Sequence, residues 1–257
     1  MSTSRLFSAF LICSLMVPGS SAQDRIKDVE SILMNARSAL GQPAEQPVLQ
    51  ISGRTERLGL PCGFRWTFAP EGFFMKETLG PFSQTLGYDG GSAWCFEGRA
   101  PAFAVDGLER DFICSLSWVI SGAWCLERSP FEFSFVESEE KGQVLLDWFL
   151  KDGAATGQLT LDAQTHLPQL MQFDEASGSS KARFSDWKSE SSPAMPWRIT
   201  VGQPTADRVD FVIKDARIWD RAQPNYTEPQ LPKGDSSYLE GVANALEVKR
   251  LPSGRVF

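Results

Sequence analysis

Histidine is nearly absent from this chain: His166 stands alone among 257 residues. A Ser-His-Asp or Cys-His site needs a positioned imidazole base. His166 ends the stretch Asp162-Ala163-Gln164-Thr165-His166, which is a turn by composition. No Cys-x-x-Cys pair occurs, so the ligand spacing of a closed zinc site is missing. No glycine-rich phosphate loop is present, and Gly90-Gly91 reads as a hairpin turn. Neither Asp-Thr-Gly nor Asp-Ser-Gly occurs, which excludes an aspartic protease site within the chain. Glu139-Glu140 and the pair Glu109 and Asp111 read as solvated loop and helix-start charges rather than a glycosidase dyad. The sequence therefore predicts no catalytic residue, no metal ligand and no cofactor.

Two further scarcities narrow the partners. No cluster of Lys and Arg occurs, and the formal net charge is −7. Phosphate neutralisation needs a concentrated basic surface, so nucleic acid is excluded. Past the N-terminus no run is long and apolar enough to cross a bilayer.

What the chain has in quantity is aromatic surface, with eight Trp and eighteen Phe. It also has an N-terminus shaped for export. Arg5 supplies a positive start, Leu6 to Val17 is mostly apolar, Pro18-Gly19 breaks the run, and Ser20-Ser21-Ala22 offers small residues for cleavage. Residues 1–22 are thus expected to be a signal peptide and the mature chain to begin at Gln23. Four cysteines then remain: Cys62, Cys95, Cys114 and Cys125. An even count in an exported chain predicts disulfides, with three connectivities open.

The pattern of the mature chain is mainly β. Asp24 to Leu40 has helical spacing at Ile26, Val29, Ile32, Leu33, Ala36 and Leu40, and Gly41 and Pro43 stop it. Cys62, Phe64, Trp66 and Phe68 alternate against Arg65 and Thr67, the period of a half-buried strand. After Ala69-Pro70-Glu71-Gly72 the reading puts Phe73 and Met75 on the same face, so that Glu77 falls opposite Phe64 at a wet rim. Tyr88-Asp89-Gly90-Gly91 joins the next two strands. Leu108 to Ser121 changes to helical period and is apolar around most of its circumference, so a buried helix is expected. Strands resume at Phe131–Val136 and Gln143–Lys151, followed by five more up to Trp219. Sequential strands at this spacing predict one antiparallel sheet, open or curled into a partial barrel. From Arg221 to Asn244 proline and glycine punctuate a polar run that reads as a linker, and Ala245–Phe257 regains strand character.

Several short motifs together resemble a known family. They are Gly87-Tyr88-Asp89-Gly90 with Trp94, and Trp118-Val119-Ile120-Ser121-Gly122. Leu159-Thr160-Leu161-Asp162 with Thr165 and Leu167-Pro168, Phe184-Ser185-Asp186-Trp187, and Pro196 before a strand complete the set. Over roughly Asp24 to Pro229 the chain resembles the LolA-like periplasmic lipoprotein carriers and outer-membrane lipoprotein-sorting proteins. The resemblance implies an incomplete, strongly curved antiparallel barrel with helices on its concave side. It also implies a periplasmic or envelope location and a hollow that holds acyl chains. The expected ligand-binding residues are Phe64, Trp66, Phe68, Phe73, Met75, Trp94, Leu146 and Trp148 on inward faces, with Glu77 near the mouth. The helices either fill the hollow as a dry core or leave an apolar pocket, and both outcomes stand at this stage. The tail, Leu246-Glu247-Val248-Lys249-Arg250 with Gly254-Arg255-Val256-Phe257, resembles the entry to a retropepsin-like domain. That implies a second role, as an interaction module for an envelope partner or for a downstream aspartyl protease domain.

Overall fold

The computed structural model describes residues 22–41, 48–69, 73–80, 83–89, 92–97, 103–105, 107–151, 153–175, 178–188, 194–203 and 206–219. The expected signal peptide (apart from Ala22), linker and C-terminal strand lie outside these residues, as does the hairpin turn Gly90-Gly91.

Thirteen strands form one antiparallel sheet. In chain order they are β1 (Val48–Arg57), β2 (Leu60–Phe68), β3 (Phe73–Leu79), β4 (Gln84–Asp89), β5 (Ala93–Glu97) and β6 (Phe103–Val105). After the helical insertion come β7 (Phe131–Val136), β8 (Gln143–Leu150), β9 (Thr156–Asp162), β10 (Pro168–Glu175), β11 (Gly178–Lys188), β12 (Met195–Gln203) and β13 (Ala206–Trp219). Strands paired in the sheet are consecutive in sequence everywhere except at the centre, where β1 pairs with β13. The sheet does not close, and its free edges are β6 and β7. This is the mainly β, incomplete-barrel architecture that the alternation predicts.

Helix α1 (Ala22–Ala39) precedes the sheet, and helix α2 (Gly107–Ile120) with a 3-10 turn (Ala123–Cys125) connects its two edges. The helical stripe of α1 buries Ala36 and Leu40 completely and half-buries Val29, Ile32 and Leu33. Gly41 ends it at φ 78°, a left-handed position that favours glycine. The end of α1 is fixed twice over. The Leu40 carbonyl accepts from the Ala194 amide at 3.0 Å, and Arg37 donates from its guanidinium to the Cys125 carbonyl at 3.0 Å. The second bond joins α1 to the 3-10 turn. A hydrogen bond from a charged group is worth about 1.5–3 kcal/mol. Arg37→Met, which keeps the apolar stem, should therefore lower stability by about 2 kcal/mol in urea unfolding. A loss under about 0.5 kcal/mol would show that the bond does not hold the helices together.

Helix α2 is buried nearly all round, as its composition predicts: Ile113, Cys114, Leu116, Val119 and Ile120 are core residues. Two serine hydroxyls bond back to carbonyls one turn earlier, whereas that of the buried Ser115 has no partner among the described residues. The Ser117 hydroxyl donates to the Cys114 carbonyl at 2.7 Å and the Ser121 hydroxyl to the Trp118 carbonyl at 3.2 Å. Asp111 is buried, and its carboxylate accepts from the amides of Ala154 (2.9 Å) and Ala155 (3.2 Å) in the β8–β9 connection. Arg110 completes the cluster with its guanidinium 2.8 Å from the same carboxylate. Asp111 is thus no solvated helix-start charge; it staples α2 to the sheet.

The register corrects the sequence reading of β3. Pairing Phe68 with Phe73 would put Glu77 opposite Phe64. Instead Phe68 pairs with Phe74, Trp66 with Lys76, Arg65 with Glu77 and Phe64 with Thr78. Cross-strand partners share a face, and a slip of one residue moves every side chain to the other side. Phe74, Lys76 and Thr78 therefore face inward. Met75 and Glu77 face outward, where Glu77 lies 3.5 Å from the Arg65 guanidinium. Glu77 is not at the rim of an aromatic face.

The expected disulfide is not formed. Cys62, Cys95, Cys114 and Cys125 are four separate buried thiols on β2, β5, α2 and the 3-10 turn. They bond within reach of their own elements: the Cys125 thiol donates to the Gly122 carbonyl at 3.4 Å and the Cys62 thiol to the Leu60 carbonyl at 3.6 Å. Burial pushes the Cys114 and Cys125 thiols up to about 11, the behaviour of small core groups rather than of nucleophiles. An even count is a sound clue to bridging only where the fold brings the sulfurs together.

Candidate functional site

The inner face of the sheet divides into two halves that α2 spans, touching β10 on one side and β4 on the other. The half built by β7–β10 has a packed aromatic centre, with a second cavity of about 380 Å³ at its edge between α1 and strands β7 and β8. Leu146 and Leu161 are completely buried, and Trp148 packs edge-on against both Phe131 and Phe173 at 5.3 Å between ring centroids. Phe112 of α2 lies 4.6 Å from Phe173 and closes that half from above.

The other half keeps an opening. A cavity of about 290 Å³ lies between α2 and strands β1–β4, β12 and β13. Its sheet wall is Trp66, Phe74 and Leu86 with Val201, Val209 and Phe211; its roof is Phe112, Ile113 and Leu116. The wall is rigid. Phe211 packs against Trp66 at 4.8 Å and edge-on against Phe64 at 5.4 Å, while Phe74 meets Trp66 at 6.4 Å and Phe68 at 5.2 Å.

Four polar residues complete the lining: Arg57, Gln84, Glu109 and Lys76. Arg57 and Gln84 belong to one bracket, in which Gln84 donates to Glu97 at 3.0 Å, Arg57 donates to the Gln84 side-chain oxygen at 3.4 Å, and Arg57 lies 3.8 Å from Glu97. Lys76 is placed differently. It sits one pleat further in, opposite Trp66 and beside Leu86, with its ammonium 4.7 Å from the Phe211 ring centroid and 5.4 Å from that of Trp66. Among the described residues no carboxylate pairs with it. Burial lowers its pKa from 10.5 to about 8; repulsion from Arg57 adds to this, and the Cys95 thiol opposes it. The unfolded chain therefore holds more protons between pH 8 and 10.5. The penalty for burying the ammonium is fully present below about pH 8 and is relieved as pH rises through that window.

The nine residues expected at the site scatter. Trp66 lines the cavity. Phe64 and Phe68 are buried directly behind it, against Phe211 and Phe74. Leu146 and Trp148 face inward but belong to the packed centre of the β7–β10 half. Met75 and Glu77 face outward. So does Trp94, which pairs with Gly87 and covers it so closely that a Cβ there would collide with the indole. Phe73 pairs with Asp89 in the ladder, and its side chain lies outside those described. Sequence reasoning missed Lys76, Phe74, Val209, Phe211 and the whole roof. For β3 the only available signal was the pairing partner of Phe68, which no local pattern specifies. His166 follows the β9–β10 turn at φ 58°, and its amide donates to the Asp162 carbonyl at 2.8 Å. Among the described residues no group of three His, Cys, Asp or Glu is arranged to hold a metal ion, and no helix is long and apolar enough to cross a membrane.

This combination, a half-open antiparallel barrel with a helix lying over an apolar hollow, defines a LolA-like fold. A LolA superfamily protein from Nitrosomonas europaea is similar to 78% of this chain over 97% of its own length, with a TM-score of 0.56 and 12% sequence identity. A DUF1329 family protein from Desulfovibrio piger is similar to 85% of the chain over 98% of its own length, with a TM-score of 0.54 and 11% identity. No family model and no curated protein sequence matches the chain.

Proposed function

We propose that this chain is an exported, non-enzymatic carrier domain of the cell envelope that holds an acyl chain or a similar apolar ligand between α2 and the sheet. The observation that carries the reading is the cavity itself: nine of its thirteen lining residues are apolar, and it lies beneath α2 in a LolA-like fold. An apolar hollow with a few polar residues in its lining is the expected form of a binding site. The signal-like segment Met1–Ala22 supports export. At about 290 Å³ the cavity sits at the floor of the range for small-molecule pockets, so it suits one chain rather than a bundle of three. Each methylene it buries would gain ~0.8 kcal/mol before the costs of association.

Delipidated protein should bind a fluorescent fatty-acid analogue saturably at micromolar concentration. Val209→Trp, which fills the cavity from its wall, should weaken binding more than tenfold while the protein stays folded. Met75→Trp should leave binding unchanged, because Met75 points away from the cavity. Absence of saturable binding in the parent protein would refute the carrier reading. The interaction-module reading suggested by the tail Leu246–Phe257 would then take its place.

A further inference from the structure

Lys76 is out of keeping with a cavity built only for hydrocarbon. A lysine on the inner face of a sheet normally snorkels to water or meets a carboxylate. Here the ladder fixes it opposite Trp66, beside two aromatic rings that pack on each other, one pleat inside the polar bracket of Arg57, Gln84 and Glu97. Successive inward residues along a strand are about 7 Å apart, so the ammonium stands about one residue pair below the mouth. The aromatic faces supply part of the attraction that water would give. They do not replace a counter-ion.

We propose that Lys76, with Arg57 above it, is the seat for the anionic head of a single-chain amphiphile whose hydrocarbon tail fills the apolar remainder of the cavity. This inference rests on the carrier reading and narrows its ligand. The head is a carboxylate or a phosphate on one acyl chain, a fatty acid or an alkyl phosphate by chemistry. Both groups present oxygen acceptors to an ammonium and a guanidinium with the same charge-assisted bonds. The cavity volume excludes more than one chain; Trp66 and Phe211 flank the head, and Phe74 and Leu116 contact the tail.

The charges around the seat favour an anion. Arg57 on β1 is positive and is partly offset by Glu97 on β5 at 3.8 Å. Glu109 on α2 lines the cavity but makes no ion pair with Lys76, and β12 and β13 present only Val201, Val209 and Phe211 there. The Cys95 thiol is held neutral by burial. An incoming carboxylate therefore meets one uncompensated cation. The lowered pKa of Lys76 has a consequence for pH. The ammonium is charged at pH 7 and loses its proton near pH 8, so anion affinity should fall above pH 8 while affinity for a neutral chain stays flat.

The test measures binding of dodecanoate, dodecyl phosphate and dodecanol to delipidated full-length protein and to Lys76→Met, at pH 7 and pH 9. The parent protein should bind one or both anions about tenfold more tightly than dodecanol, the factor expected of a buried charge-assisted bond of about 1.4 kcal/mol. Lys76→Met should lose that preference, keep its dodecanol affinity, and unfold no earlier than the parent, since no ammonium is buried in it. Dodecanoate preferred over dodecyl phosphate assigns the head as a carboxylate, and the reverse assigns a phosphate. Equal affinity for dodecanol and both anions, or a preference retained in Lys76→Met, would overturn the anion seat and leave the carrier reading standing. If neither dodecanol nor the anions bind, both fall together.

Discussion

Asp111→Ala should destabilise the protein by about 3–5 kcal/mol, the range for removing one partner of a buried ionic cluster. The carboxylate receives the Ala154 and Ala155 amides and the Arg110 guanidinium, and Gly153 approaches it so closely that a Cβ there would stand 2.9 Å from the carboxylate oxygen. Alanine leaves two amides of the β8–β9 connection without acceptors, each a loss of about 1–3 kcal/mol when water cannot enter. Asp111→Asn keeps one acceptor and should fall between the parent and alanine. For a domain of this size the melting temperature should drop by about 2–4 °C for each kcal/mol, so Asp111→Ala should melt roughly 10 °C early. A loss below about 1 kcal/mol in urea unfolding would mean that the connection finds other partners and that α2 is held by apolar contact alone.

Trp148→Ala should be comparably severe, at about 3–5 kcal/mol, for a different reason. Trp148 is 2% exposed and fills the packed centre of the β7–β10 half between Phe131 and Phe173, with Gly157 opposite it in the ladder. Gly157 leaves the indole its space: a Cβ there would come within 2.9 Å of the ring. Truncation opens a void that close-packed neighbours can fill only in part. The size of the loss separates a dry core from a second ligand chamber. A chamber already open to water would lose less than about 1.5 kcal/mol, because little packing would be forfeited. Trp148→Phe, which retains a ring, should lose about half as much as alanine.

The strands and helices were largely legible in the sequence because their periods are local. Val144, Leu146, Trp148 and Leu150 can alternate in only one phase, and α2 is too apolar to be anything but buried. The candidate site was legible only at Trp66. Phe73-Phe74-Met75-Lys76-Glu77-Thr78 offers two phases, since either Phe can lead the inward set. The choice is made by how many residues link Phe68 to its partner. The reading that hides Lys76 on a wet face is the better one by residue type, and the pairing overrules it. The cysteines failed differently. Their even number suggested bridging, but bridging depends on proximity between elements distant in sequence, to which composition is blind. The same blindness hid the contribution of β12 and β13 to the cavity, which exists because β13 lies beside β1.

That pairing of β1 with β13 also sets the order in which the protein can be assembled. β1 leaves the ribosome early, and the strand that completes its ladder is the last of the sheet to be made. Hairpins β1–β2 through β5–β6 and β7–β8 through β12–β13 can each close by short-range contacts, giving two half-sheets with an unmatched border apiece. Their union at the centre must await nearly the whole chain and bears the entropy of a long-range closure, so it is expected to be the slow step of folding. Until then the hollow has no far wall: Val209 and Phe211 stand apart from Trp66, and both borders are open to mispairing with other chains. A holdase that shields those borders, or a hydrophobic occupant that draws the two walls together, would speed the passage to the native state.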